Sequence, residues 1–113
     1  NYKLYQFVNG LEVLIDEIDI ENTILPEKNE LLQNYPNPFN PSTIIEFNLK
    51  ENLNTTLIVY NILGEKVTEL FNGFLKAGNH KIEFNASHLS SGVYYYHLSC
   101  GEYSSYKKML IIK

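Results

Sequence analysis

Tyr35-Pro36-Asn37-Pro38-Phe39-Asn40-Pro41 places three of the four prolines of the chain within seven residues. Each proline fixes its own φ, lacks a backbone donor and pushes the residue before it towards extended conformations. Such a stretch cannot lie inside a helix or a central strand, and the asparagines between the prolines favour turns. We predict that these seven residues, the proline motif, form a stiff, solvent-facing segment that leads into a separate domain.

The residues that follow the proline motif alternate between apolar and polar. In a strand over residues 43–49, Ile45, Phe47 and Leu49 would share one face. Short segments of the same kind recur downstream, which is typical of a sandwich or a barrel. The predicted strands are 43–49, 55–62, 66–71, 80–85, 93–99 and 103–112. With one more strand from a neighbouring segment, they predict an all-β, Ig-like antiparallel β-sandwich of about seven strands.

Turn residues separate the predicted strands at 63–65, 76–79, 90–92 and 100–102. The glycines of this region are isolated from one another, so they suit turns that need positive φ better than a phosphate-binding loop. These glycines are Gly64, Gly73, Gly78, Gly92 and Gly101.

The composition agrees with an all-β fold. The 113 residues suit one domain with a short appendage, and nine tyrosines with six phenylalanines favour strands over helices. The single cysteine, Cys100, excludes an intramolecular disulfide. No apolar run has the length of a membrane-spanning helix and no signal-peptide pattern begins the chain, so we expect these residues to be soluble.

Charge is unevenly distributed along the chain. Residues 1–30 carry seven acids and two lysines, for a net charge of −5, whereas residues 31–113 carry six acids and seven lysines, for a net charge of +1. The basic residues are all lysines, and they form no stripe that could follow a phosphate backbone. Nucleic acid is therefore not an expected partner.

Residues 1–30 predict a β-hairpin followed by a linker. Asn9-Gly10 lies between apolar runs at 2–8 and 11–15, where Asn-Gly favours the type I′ turn of a hairpin. Residues 22–34 are predicted to form a linker, from which Leu31 and Leu32 dock on the following domain. Apolar residues on both faces of the hairpin indicate that it is buried against a partner. The residues concerned are Leu4, Tyr5, Phe7, Val8, Leu11, Val13 and Ile15.

Two groups of residues have side chains that can bind metals, but neither has the spacing of a metal site. Four acids between residues 16 and 21 lack the glycine and terminal glutamate of a calcium-binding loop, so we expect them on a solvated strand face. His97 and Cys100 are three residues apart around the end of a predicted strand, which directs them to opposite faces. We predict no metal and no cofactor.

No catalytic pattern stands out either. The serines do not lie in a Gly-x-Ser-x-Gly elbow, and no paired His and Asp motif accompanies them. Tyr94-Tyr95-Tyr96 could form a platform for a sugar, but alternation exposes only one face of the run, which favours a packing role. We predict that the protein is not an enzyme.

Five blocks of sequence resemble, in order, the C-terminal sorting domain of the type IX (Por) secretion system. They are Leu31-Leu32-Gln33-Asn34-Tyr35-Pro36-Asn37-Pro38-Phe39-Asn40-Pro41-Ser42-Thr43, Leu57-Ile58-Val59-Tyr60-Asn61-Ile62-Leu63-Gly64, Ala77-Gly78-Asn79-His80, Ser91-Gly92-Val93-Tyr94-Tyr95-Tyr96 and Lys107-Lys108-Met109-Leu110-Ile111-Ile112-Lys113. The resemblance implies an Ig-like sandwich at the C-terminus of proteins that Bacteroidetes-like bacteria export. The implied partners are the translocon and the surface-attachment machinery, and the implied location is the outer-membrane surface or the extracellular space.

The resemblance also implies roles for single residues. Residues 107–113 would form the recognised sorting signal, in which Lys108, Met109 and Lys113 belong to the last strand. The proline motif would open the domain, and turns would be shaped by Gly64, Gly78 and Gly92. Phe84 stands where members of the family often carry tryptophan, which implies a core position.

Residues 1–30 lie outside the resemblance and leave alternative functions open. In one, they are the end of a preceding module, and residues 31–113 sort a larger secreted protein. In another, the chain is a structural subunit whose N-terminal strand adds to the sheet edge of a neighbouring copy, which would build an extracellular filament. A third alternative is a small surface-binding module that uses the tyrosines.

Overall fold

The structure is a computed structural model that describes residues 25–113 and, before them, the backbone of residues 7–8 and 11–12. This part of the chain contains strands and no helix, so no helix in it could cross a membrane. The strands are β1 (Phe7–Val8), β2 (Leu11–Glu12), β3 (Glu30–Leu31), β4 (Ser42–Leu49), β5 (Leu53–Tyr60), β6 (Lys66–Leu75), β7 (Gly78–Asn85), β8 (Gly92–Cys100) and β9 (Tyr103–Ile111).

Strands β3 to β9 form two antiparallel sheets. One has the order β3-β4-β7, and the other has the order β6-β5-β8-β9. The prediction of a seven-stranded, all-β sandwich is therefore confirmed. The last strand, β9, lies at the edge of the larger sheet and pairs with β8 along its whole length, from Cys100 opposite Tyr103 to Gly92 opposite Ile111.

Alternation along the strands builds the core between the sheets. Ile45, Phe47 and Leu49 are fully buried, as predicted for one face of β4. Leu57 and Val59 of β5 join the same cluster from the other sheet. Burial of one such side chain contributes about 1.5–3 kcal/mol, so the period-2 pattern supplies much of the stability of the fold.

Strand β6 is longer than predicted. Its pairing with β5 continues to Leu75, opposite Leu53, so Gly73 lies inside the strand and its predicted turn is wrong. A Cβ atom on Gly73 would come within 3.3 Å of the Phe71 ring, so the glycine leaves room for that ring. The predicted turn at 76–79 is also too long, because Gly78 already belongs to β7.

The other glycines of the domain adopt positive φ, as predicted. They are Gly64, Gly78, Gly92 and Gly101, with φ values of 85°, 138°, 148° and 59°.

Part of the predicted linker forms strand β3 instead. Leu31 is buried, as expected, but it belongs to β3 and pairs with Phe47 of β4. The antiparallel pairing continues beyond β3, because Leu32 N–H donates to the Glu46 carbonyl at 3.0 Å and Tyr35 exchanges two hydrogen bonds with Ile44 at 3.0 Å. The segment before the proline motif thus supplies the seventh strand of the sandwich.

Strands β1 and β2 pair in the register that the predicted hairpin requires. Val8 lies opposite Leu11 and Phe7 lies opposite Glu12, in antiparallel orientation. The remaining residues of the predicted hairpin, together with the acids between residues 16 and 21, lie outside the described residues.

Candidate recognition site

The predicted sorting signal falls mostly on β9, where alternation divides it into two sets of side chains. Met109 and Ile111 are fully buried in the core, and Lys107 on the same side is half-buried. Lys108 is exposed on the opposite side, followed by the partly buried Leu110 and by Ile112, which lies beyond β9 and is 48% exposed. A partner of the folded domain can therefore reach the second set but not the side chains of Met109 and Ile111, a division that the resemblance alone did not indicate.

Lys113 extends past β9 and binds the loop before β8. Its backbone N–H donates to Ser91 Oγ at 3.0 Å, and its Nζ donates to the Ser87 carbonyl at 2.7 Å. The terminal lysine of the predicted signal is therefore held against the domain at both its backbone and its side chain.

The proline motif lies directly against the predicted signal. Phe39 N–H donates to the Leu110 carbonyl at 3.1 Å, and Ile112 N–H donates to the Phe39 carbonyl at 3.0 Å. Asn37 Oδ1 accepts from Leu110 N–H at 3.0 Å. Phe39 and Ile111 form a parallel β-bridge, so the motif covers the outer edge of β9, on which the predicted signal lies.

Phe39 anchors the motif in the core. It is 3% exposed, whereas the other six residues of the motif are exposed, as a solvent-facing segment requires. Its ring meets that of Phe84 edge to face, with centroids 6.2 Å apart. Phe84 is buried, which agrees with the core position that the resemblance implied. Burial of this ring therefore adds core packing to the hydrogen bonds that hold the motif on the sandwich.

A buried polar network holds the segment just before the motif. Asn34 N–H donates to Tyr96 Oη at 2.7 Å, and the Tyr96 hydroxyl donates to the Leu32 carbonyl at 2.8 Å. The Asn34 side chain donates to Thr43 Oγ1 at 3.0 Å and to the Pro36 carbonyl at 3.1 Å. Burial raises the pKa of Tyr96 to about 12, although the hydrogen bond from Asn34 opposes this shift.

Sequence reasoning missed Asn34, because its partners are distant in the sequence. An asparagine before Tyr-Pro has the composition of a turn, and nothing local indicates a link to Tyr96. Tyrosines that pack inward were expected to hydrogen-bond through their hydroxyl groups. Tyr103 does so as well, because its hydroxyl accepts from Leu31 N–H at 3.1 Å. Together the two hydroxyls connect the larger sheet to the strand before the proline motif.

Gly64 allows a tight loop between β5 and β6. Asn61 closes this loop, since its Oδ1 accepts from Leu63 N–H at 2.9 Å and from Glu65 N–H at 3.0 Å. Gly64 N–H donates back to the Asn61 carbonyl at 3.0 Å.

The outer face of the larger sheet carries a group of aromatic side chains. The His97 and Tyr106 rings stack with centroids 4.1 Å apart, and Tyr60 lies beside both at 6.4 Å. His97 Nε2 lies 2.6 Å from Ser104 Oγ, and burial lowers the pKa of this histidine. Tyr94 and Tyr96 point inward, so the alternation predicted for the tyrosine run is confirmed.

Cys100 lies on the inner face, opposite to His97, as predicted. The thiol is buried, and burial raises its pKa. Among residues 25–113, no group of three or more His, Cys, Asp or Glu side chains is placed to hold a metal ion.

A comparison with protein families gives one match. The model of the secretion system C-terminal sorting domain matches residues 33–113, which include the proline motif and the whole of β9. Searches of curated proteins and of solved structures gave no match. The family match covers well over half of the chain and agrees with the all-β sandwich. The chain therefore belongs to the family of C-terminal sorting domains that act as signals for type IX secretion.

Proposed function

We propose that this domain directs the export of the polypeptide joined to it through the type IX system to the cell surface, and that it catalyses no reaction. The observation that carries this proposal is the hydrogen-bonded contact between the proline motif and residues 107–113. The two most distinctive blocks of the family resemblance, far apart in sequence, form one surface. A sorting receptor could bind that surface on the folded domain.

Burial within the signal supports recognition of a folded domain. Met109 and Ile111 have no exposed surface, and the carbonyl of Leu110 is occupied by Phe39 N–H. An extended tail would present all seven residues, whereas the sandwich presents an alternating subset. We propose that the machinery reads this subset together with the exposed part of the proline motif.

A gain of export tests the function. The full chain is fused to the C-terminus of a reporter enzyme that normally stays in the periplasm, in a bacterium with a working type IX system. We expect the reporter at the cell surface or in the medium, and in the periplasm when the translocon is deleted. Retention of the fusion in the periplasm of the intact strain would contradict the proposal.

A truncation provides the second arm of the test. Removing residues 107–113 should leave the reporter in the periplasm, and normal export would exclude these residues as the signal. Because the truncation also removes Met109 and Ile111 from the core, circular dichroism of the purified fusion must accompany it. The reporter-only protein is the control for export without the domain.

Assembly into a filament stays a second proposal, supported by the pairing of β1 with β2 and by apolar residues on both faces of the predicted hairpin. Light scattering with negative-stain microscopy separates the two states. Polymers that become monomers when residues 1–25 are deleted would favour assembly, whereas a monomer of 13.1 kDa would exclude it under the conditions used.

A further inference from the structure

The outward side chains of β8 and β9, with Ile112 just beyond, form a continuous surface beside the proline motif. We name it the signal face. Its members are Val93, Tyr95, Tyr106, Lys108, Leu110 and Ile112.

Lys108 lies near the middle of the signal face. It is exposed and stands directly across from Tyr95 in the register of β8 and β9. Within residues 25–113 an ion pair forms between Lys66 and Glu69. No carboxylate of that range lies within ion-pair distance of Lys108. The signal face therefore offers a cation to a partner without first breaking an ion pair in this part of the chain.

Apolar grooves flank Lys108 on both sides. One, of about 270 Å³, lies between Asn37-Pro38 of the proline motif and Val93 with residues 108–110. The other, of about 420 Å³, is lined in part by Tyr60, Tyr95 and Tyr106.

Protein interfaces often depend on a few anchoring contacts, and a charged side chain beside apolar grooves can provide such contacts. Tyr106 is 60% exposed and Ile112 is 48% exposed, so both offer apolar area to a partner.

We infer that the signal face docks on a surface of the export machinery that carries a carboxylate opposite Lys108 and an apolar side chain for the groove beside Pro38. This inference rests on the proposed function and adds the chemistry of the partner. The charge of Lys108 specifies the acidic group, and the continuity of the face with the signal strand specifies the export machinery. The side chains of the inward residues Met109 and Ile111 support the strand from the core.

Charge reversal at one position tests the inference in the reporter fusion. Lys108→Glu should lower the exported fraction at least about tenfold, because like charges then oppose each other across the contact. Lys108→Arg keeps the positive charge, so this variant should be exported like the parent fusion. Lys76→Glu makes the same change of net charge in the exposed turn between β6 and β7, and it should leave export unchanged.

A further variant tests the apolar part of the signal face. Ile112→Ser should lower export without changing the thermal unfolding midpoint of the purified chain by more than a few degrees. If Lys108→Glu and Ile112→Ser are both exported like the parent fusion, the inference is wrong while the proposed function stands.

Two other results would also overturn the inference. If the unaltered fusion is not exported, the proposed function fails and the inference fails with it. If light scattering shows that the purified chain self-associates and that Lys108→Glu abolishes this association, the signal face is a contact between two copies of the chain.

Discussion

Phe39 donates its backbone N–H to the carbonyl oxygen of Leu110 at 3.1 Å, while its ring is buried against Phe84. The first residue belongs to the proline motif and the second to the predicted signal. One phenylalanine therefore ties the start of the domain to its last strand, through a backbone contact on one side and core packing on the other.

Replacing Phe39 should destabilise the sandwich. Phe39→Ala removes the ring of a residue that is only 3% exposed, so we expect a loss of about 3–5 kcal/mol in the free energy of unfolding. Tyr35→Ala, at a residue that is 80% exposed in the same motif, should change it by less than about 0.5 kcal/mol. Urea denaturation of the purified chains measures both, and equal effects would contradict the anchoring role.

Removal of the Tyr96 hydroxyl should cost stability without creating a large cavity. Tyr96→Phe leaves the Asn34 N–H and the Leu32 carbonyl without their buried partner, which should cost about 1–3 kcal/mol. Tyr106→Phe, at an exposed residue of the next strand, is the matched control and should be neutral. A neutral Tyr96→Phe would show that water or another group replaces the hydroxyl.

The same hydroxyl predicts a pH dependence at high pH. The pKa of Tyr96 is about 12 in the folded chain, against 10.0 for an ordinary tyrosine, so folding favours its protonated form. The stabilisation is complete below pH 10 and is lost as the pH rises from about 10 to about 12, where the unfolded chain binds fewer protons than the folded one. The loss should amount to roughly 2–3 kcal/mol.

Denaturation midpoints measured between pH 8 and pH 12 test this dependence. Other tyrosines titrate in the same range, so the comparison is between the parent chain and Tyr96→Phe. Their stabilities should converge as the pH rises, because the variant lacks the titrating group. Parallel curves for the two proteins would exclude Tyr96 as the cause.

Gly64 should tolerate asparagine better than alanine. Its φ of +85° is unfavourable for a residue with a Cβ atom, but no atom lies within 4 Å of the Cβ position. A substitution would therefore strain the backbone without causing a steric clash. Gly64→Ala should cost about 1–2 kcal/mol, and Gly64→Asn should cost less, because asparagine accepts left-handed conformations more readily. Thermal unfolding of the two variants provides the ranking, and the reverse order would contradict the strain argument.

Cys100 should be protected from thiol reagents in the folded chain. The residue is 1% exposed, and its raised pKa lowers the fraction of reactive thiolate. Because it is the only cysteine, labelling with an aromatic disulfide reagent reports on this site alone. We expect slow labelling in buffer and rapid labelling in denaturant, whereas rapid labelling of the native chain would place the thiol at the surface.

Local patterns predicted most of the strands. The six strands expected after the proline motif are present, and their ends differ by a few residues at most. The main errors, the turn at Gly73 and the linker assigned to residues 30 and 31, share a cause. Neither Asn72-Gly73 nor the two-residue strand β3 has a strong local preference for strand conformation. Pairing with β5 made the first part of β6, and pairing with β4 made the second a strand.

The amino-acid sequence by itself determined where the chain turns and which side chains face the core. Proline and glycine act on the φ of single residues, and the period-2 pattern acts within one strand, so both can be read locally. Only the tertiary structure decided that Phe39 meets Leu110, that Asn34 meets Tyr96, and that Lys108 faces outward beside the proline motif. These contacts join residues from opposite ends of the domain, and they form because two sheets pack around one core, for which no local pattern exists.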